Sequence, residues 1–180
     1  KILCYDYVAT PHIGESNFFN VNPGAFTKLQ ILLPGEMSTP GIAPGKTGNV
    51  GTIIAGDAVT VVVNGVDNWW NPVTSASATI GLTSTDLNAN IPLDAPLVSG
   101  TVTFSTFRFN TPGNWTVTAH CKTNPQISSD TSPIVQVITG SVASFLFEAI
   151  NSPQYAGDTL QITVRAVDGS GTTVSSYNEL

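Results

Sequence analysis

Ala55-Gly56-Asp57-Ala58-Val59-Thr60-Val61-Val62-Val63-Asn64-Gly65-Val66-Asp67 runs from a glycine turn through alternating apolar and polar residues to an aspartate. Period-two alternation is the mark of a half-buried β-strand, and the flanking Gly and Asp supply its turns. The same signal recurs at Thr101–Ser105, Trp115–Ala119 and Leu160–Val164. Between them stand turn formers such as Ser99-Gly100, Thr111-Pro112-Gly113-Asn114 and Ala156-Gly157-Asp158. Strands of this length spaced by such turns predict an all-β sandwich. Charged residues make up only 10% of the 180, too few to give a helix its usual polar face.

The opening stretch has a counterpart in Ala156-Gly157-Asp158-Thr159-Leu160-Gln161-Ile162-Thr163-Val164-Arg165-Ala166-Val167-Asp168, about 101 positions later. A second match, Glu15–Phe26 with Thr131–Val142, is offset by about 116. The difference of roughly fifteen is the Pro/Gly-rich segment between Pro34 and Thr52, which is expected to be a long loop without a ladder. A repeat of this size is a domain, and it predicts beads on a string. Residues 22–138 then form one complete unit. Residues 1–21 are the last strands of a preceding unit or a donor segment, and residues 139–180 are the first half of a following one. The chain is accordingly expected to be a fragment of a longer array, or to have its open ends completed by other copies through strand addition.

Six Lys and Arg against twelve Asp and Glu give a net charge of -6, which leaves no field to hold a polyanion, so nucleic acid is not an expected partner. Apolar runs fall short of the ~20 residues needed to cross a bilayer, so no membrane span is expected. Lys1 opens the chain without a signal-peptide h-region. Neither of the two cysteines belongs to a CxxC motif. Cys4 and Cys121 align if one gap is allowed, which puts them a domain length apart, beyond the ~7 Å a disulfide spans. Buried free thiols are the expectation, with pairing to another chain as the alternative.

Leu29-Gln30-Ile31-Leu32-Leu33-Pro34-Gly35-Glu36, Ala55-Gly56-Asp57 with Val61-Val62-Val63, Asp67-Asn68-Trp69-Trp70-Asn71-Pro72-Val73 and Gly113-Asn114-Trp115-Thr116-Val117-Thr118-Ala119 cover most of the complete unit. In these residues the chain resembles bacterial immunoglobulin-like repeats of large exported surface proteins, which share the sandwich of filamin and fibronectin-type domains. The resemblance implies an immunoglobulin-like β-sandwich, one complete domain flanked by partial repeats. It also implies an extracellular or cell-surface location and a non-catalytic role as spacer, adhesive module or fibre-forming subunit, with neighbouring repeats or copies of the same chain as partners. His120-Cys121 departs from the small or acidic residues usual there, and the second unit lacks the Pro-Gly-Glu loop.

Two groups of side chains invite a functional reading. Trp69 and Trp70, adjacent in a stretch expected to be extended, point to opposite faces; one plugs the core and the other meets solvent, a neighbouring domain or a sugar ring. That makes a carbohydrate-binding accessory domain of a secreted enzyme the alternative function. Asp67 with Asn68 and Asn71 is a candidate Ca2+ site, set against an Asx turn that closes the strand. No other cofactor is expected. His12 and His120 fall in separate repeats and share no pocket with a nucleophile. Asp86 and Asp94 are a carboxylate pair of the type glycosidases use, but any acidic surface offers as much.

Overall fold

The computed structural model describes residues 1–10, 12–175 and 177. Ser176 and Asn178–Leu180, which belong to the third expected segment, lie outside the described residues. Among the described residues there is no helix, and the chain is all-β, built as several sheets.

An N-terminal hairpin comprises β1 (Leu3–Tyr5) and β2 (Ile13–Glu15). There follow β3 (Lys28–Leu32), β4 (Glu36–Ser38), β5 (Lys46–Gly48), β6 (Ile53–Ile54), β7 (Val59–Val66), β8 (Thr79–Ser84) and β9 (Ala95–Pro96). Then come β10 (Thr101–Phe107), β11 (Gly113–Trp115), β12 (Val117–Cys121), β13 (Asp130–Thr131) and β14 (Val135–Ile138). The last hairpin is β15 (Val142–Phe147) with β16 (Val164–Asp168).

One sheet has the order β10-β7-β3, another β13-β12-β8-β9, and a third β11-β14-β6, in which β14 and β6 run parallel. Each of the first two sheets has an apolar face; burial alternates along most of β7, whereas β3 and β8 are buried on both faces at their centres. Val59, Val61 and Val63 of β7 with Leu29 and Ile31 of β3 share one core with Ile80, Leu82, Val117 and Ala119 of β8 and β12. Phe104, Phe107 and Phe109 fill the same core, the last two edge to face at 4.8 Å. Facing apolar layers of this kind are sandwich-like. Every member of the core cluster lies between Leu29 and Val137.

The flanking hairpins reproduce parts of this architecture at the offsets found in the sequence. In the β3–β7 pair Lys28 lies opposite Val66, Leu29 opposite Gly65, Gln30 opposite Asn64 and Ile31 opposite Val63. In the last hairpin Ser144 pairs with Val167, Phe145 with Ala166, Leu146 with Arg165 and Phe147 with Val164. Each residue has moved by 116 on the first strand and by 101 on the second. The N-terminal hairpin copies the β12–β13 corner in the same way. The Ile2 amide donates to Ser16 Oγ and the Ser16 amide to the Ile2 carbonyl, as Val117 and Ser132 do.

That register corrects the cysteine alignment. Leu3 pairs with Glu15 as Thr118 pairs with Thr131, so Cys4 takes the position of Ala119 and not that of Cys121. Nor are both thiols buried: Cys4 is exposed, and Cys121 is half-buried within 3.6 Å of Thr123 Oγ1.

Two further expectations are revised. The Pro/Gly-rich segment does form a short ladder, with Glu36 opposite Gly48 and Ser38 opposite Lys46. The Glu36 carboxylate holds it down, accepting the Leu33 amide and meeting Lys46 Nζ at 3.1 Å, while Lys46 donates to the Ile31 carbonyl. Conversely, the alternating run Leu160–Val164 is strand only from Val164 onward. In β7 the corresponding Val59 and Val61 pair with β10, and the last hairpin has no such partner among the described residues.

Candidate functional site

The strongest polar constellation is built on Asp67, which follows β7 directly and is 2% exposed. Its Oδ2 accepts the Gly24 amide at 2.7 Å, and its Oδ1 accepts the amides of Trp69 at 2.8 Å and Asn71 at 2.9 Å. The Asn71 side-chain amide adds a contact to each oxygen, at 3.3 and 3.0 Å. Burial by itself raises the acid's pKa, but these donors, with the Asn71 side chain foremost, outweigh it and hold the carboxyl at about 2. The carboxylate closes an Asx turn and ties the end of β7 to the residues ahead of β3.

Asp168 repeats the arrangement. Its Oδ2 accepts the Gly140 amide at 2.9 Å, and Oδ1 accepts the amides of Ser170 at 3.0 Å and Thr172 at 2.9 Å. The Ser170 hydroxyl donates to the same oxygen at 2.6 Å. Burial opposes ionisation here too, and the hydrogen bonds from Ser170, Gly140 and Thr172 hold the carboxyl below the usual range. Asp86 has similar surroundings, accepting the amides of Asn88, Asn110 and Thr111.

Of the candidate Ca2+ ligands, Asp67 and Asn71 are therefore hydrogen-bonded to one another, with N–H groups aimed at the carboxylate oxygens. The Asn68 carbonyl accepts Lys28 Nζ at 2.9 Å, which places an ammonium beside the group. A bound cation wants oxygen lone pairs converging on it, and this arrangement converges donors instead. Among the described residues no group of three His, Cys, Asp or Glu side chains is gathered for a metal.

Trp69 and Trp70 lie in the turn after Asp67 and not in an extended segment. Trp69 is 72% exposed. Trp70 is half-buried, with Lys28 Nζ 3.7 Å from its ring centroid, a cation–π contact, and its ring lies against Gly45 of the loop. Its φ of 68° is a left-handed conformation that glycine adopts freely; the counterpart in the last hairpin is Gly171, at φ 84°. Trp115 is half-buried and donates from Nε1 to the Thr111 carbonyl at 2.6 Å. The two adjacent indoles thus sit in different surroundings and form no shared platform.

The other pairs are not assembled into a site. His12 is exposed beside Asp6 at 2.9 Å, while His120 lies on β12. Asp86 is buried among its three amides, and Asp94 is 3.7 Å from Lys122. Sequence reasoning singled out neither the Gly24 and Gly140 amides nor the Lys46–Glu36 pair. The conjunction of Gly24 with Gly140 at one offset and Asp67 with Asp168 at the other was the signal for the first. Neither a family model nor a curated protein matches the chain.

Proposed function

We propose that this chain is a non-catalytic structural or adhesive module of an extracellular or cell-surface protein, an immunoglobulin-like sandwich that serves as a spacer or fibre-forming subunit. The observation that supports it is an open apolar face. Leu29, Ile31, Val59, Val61 and Val63 are 0 to 3% exposed, whereas their counterparts Phe145, Phe147, Leu160, Ile162 and Val164 are 53, 63, 46, 52 and 45% exposed. At about 1.5–3 kcal/mol for each large side chain, covering that face is strongly favourable. The surface that covers it in residues 22–138 is the apolar side of β8 and β12, so the equivalent strands of a following repeat are the partner of matching shape; in another copy of the chain those strands are already covered, and the face left to pair is that copy's own last hairpin.

Sedimentation velocity over a rising concentration series tests this. Association beyond the monomer is expected, together with its loss when Phe147 and Ile162 are both replaced by Asn. A chain that stays monomeric and binds no apolar dye at the last hairpin contradicts the proposal. The carbohydrate-binding reading rests on the exposure of Trp69 alone; retention on a polysaccharide column that Trp69→Ala abolishes would favour it.

A further inference from the structure

The Asp168 turn does more than close its own hairpin: it lies at the joint with the complete unit. A Cβ added at Gly56 would collide with the Ser170 side chain, so Ser170 rests directly on the Ala55-Gly56-Asp57 turn. The Gly56 amide donates to the Phe109 carbonyl at 2.7 Å, and the Arg108 guanidinium donates to the Gly56 carbonyl, so that turn is fixed from its own side. On the other side Gly140 bonds to the Asp168 carboxylate, while the amide of Ala55 bonds to the Ile138 carbonyl. Between the two units only Thr139 is left free of these ties, and beside Ser170 a cleft of about 250 Å³ remains.

The register that relates the two hairpins equates Ser170 with Trp69, since both lie two residues after the buried aspartate and donate their amide to its Oδ1. Gly24 is tied to Asp67 as Gly140 is tied to Asp168, and Asn22-Pro23-Gly24 aligns without a gap on Ile138-Thr139-Gly140, the glycine being the shared residue. The first aspartate turn therefore holds the chain entering it by the same hydrogen bond as the second. Trp69 stands where Ser170 meets the preceding unit, with its indole in solvent.

We infer that Trp69 is an inter-unit docking residue, whose ring packs on the Ala-Gly-Asp-type turn of a sandwich lying N-terminal to residue 22. This rests on the array reading above and names a contact within it. The occupant is a β-turn with glycine at its apex. Glycine leaves backbone open to an aromatic face, and an indole fills the space that the smaller Ser170 leaves as a cleft. An aromatic residue at one joint and a serine at the next would make the two joints differ in stiffness.

The test uses the whole chain lengthened by one unit, with Lys1–Ile138 followed directly by Pro23–Leu180, so that the second Trp69 has a complete sandwich ahead of it. Both chains are labelled with fluorotryptophan, and the Trp69 signals are assigned by Trp69→Phe in each copy. Accessibility is read from broadening by a soluble paramagnetic agent. The first Trp69 is expected to stay as exposed as in the present chain, and the second to be shielded by about threefold or more, as a packed ring is. Equal broadening of both signals overturns the inference. In that event, protease resistance at the new joint leaves the array standing without the tryptophan contact, whereas rapid cleavage there removes the array reading as well. Shielding of the single chain's Trp69 by a soluble polysaccharide alone, with none in the lengthened chain, also overturns it.

Discussion

Asp67→Ala is expected to destabilise the chain by about 3 kcal/mol at neutral pH, because it removes a buried carboxylate that accepts three backbone amides, those of the exposed Gly24 and Trp69 and of the half-buried Asn71. The Gly24, Trp69 and Asn71 amides all donate to it, and Gly24 lies 43 residues away in sequence, so the side chain joins two segments that nothing covalent holds together locally. Asp67→Asn keeps the shape but sets an NH2 against N–H donors, and about 2 kcal/mol of loss is expected. The folded acid titrates at about 2 against an ordinary 3.8, a depressed value. A depressed folded pKa means that the stabilisation is fully present above the unfolded pKa and is lost as pH falls through the folded one. Urea midpoints should therefore drop between about pH 4 and pH 2, and the drop should be smaller in Asp67→Asn than in the parent. Equal midpoints for Asp67→Ala and the parent would contradict this assignment.

The second large effect is expected at Glu36. Its side chain is 2% exposed and that of Lys46 13%, with 3.1 Å between them. Removing one member of a buried ion pair leaves the other charge uncompensated, at a cost of about 3–5 kcal/mol. Glu36→Ala also frees the Leu33 amide. One neighbour softens the loss. Asp130 bonds the Ile31 amide while Lys46 bonds the Ile31 carbonyl, so the two side chains meet at the same edge of β3. Burial raises the Asp130 carboxyl, and its attraction to Lys46 works against that rise. Without Glu36, Lys46 is left to Asp130, and a net destabilisation of about 3 kcal/mol is expected in urea unfolding. Lys46→Met in the Glu36→Gln background should recover none of it, since it also removes the cation that offsets the burial of Asp130.

What could be read in the sequence was carried by side chains whose spacing repeats. Val59, Val61 and Val63 announce a buried strand face, and the sequence offsets of 101 and 116 are the ones at which the paired residues of the two hairpins recur. The signal fails where tertiary partners decide. Leu160 to Thr163 alternate as well as their counterparts do, yet without a β10 on their open edge they form no ladder. Glu36 and Lys46 lie ten residues apart in a stretch full of Pro and Gly; only their meeting under β3 makes that stretch a hairpin. Trp69 and Trp70 look extended if the turn demanded by Asp67 is overlooked. Once the carboxylate has captured the amides two and four residues on, the chain must turn and Trp70 takes a positive φ. The cysteines misled because identity was weighed above register.

The central contrast is between two hairpins with four matching pairs of residues, of which one is covered by an apolar layer and paired with β10 and the other, among the described residues, is neither. Amide hydrogen exchange tests it most directly, on this chain and on one in which Ser75–Ile138 follows Ser175 and so supplies counterparts of β8 to β14. In the present chain the paired amides of β15 and β16 should exchange about a hundredfold or more faster than those of β3 and β7, and in the completed chain they should slow to match them. Equal protection of both hairpins in the present chain, or continued fast exchange of β15 and β16 after completion, would contradict the account.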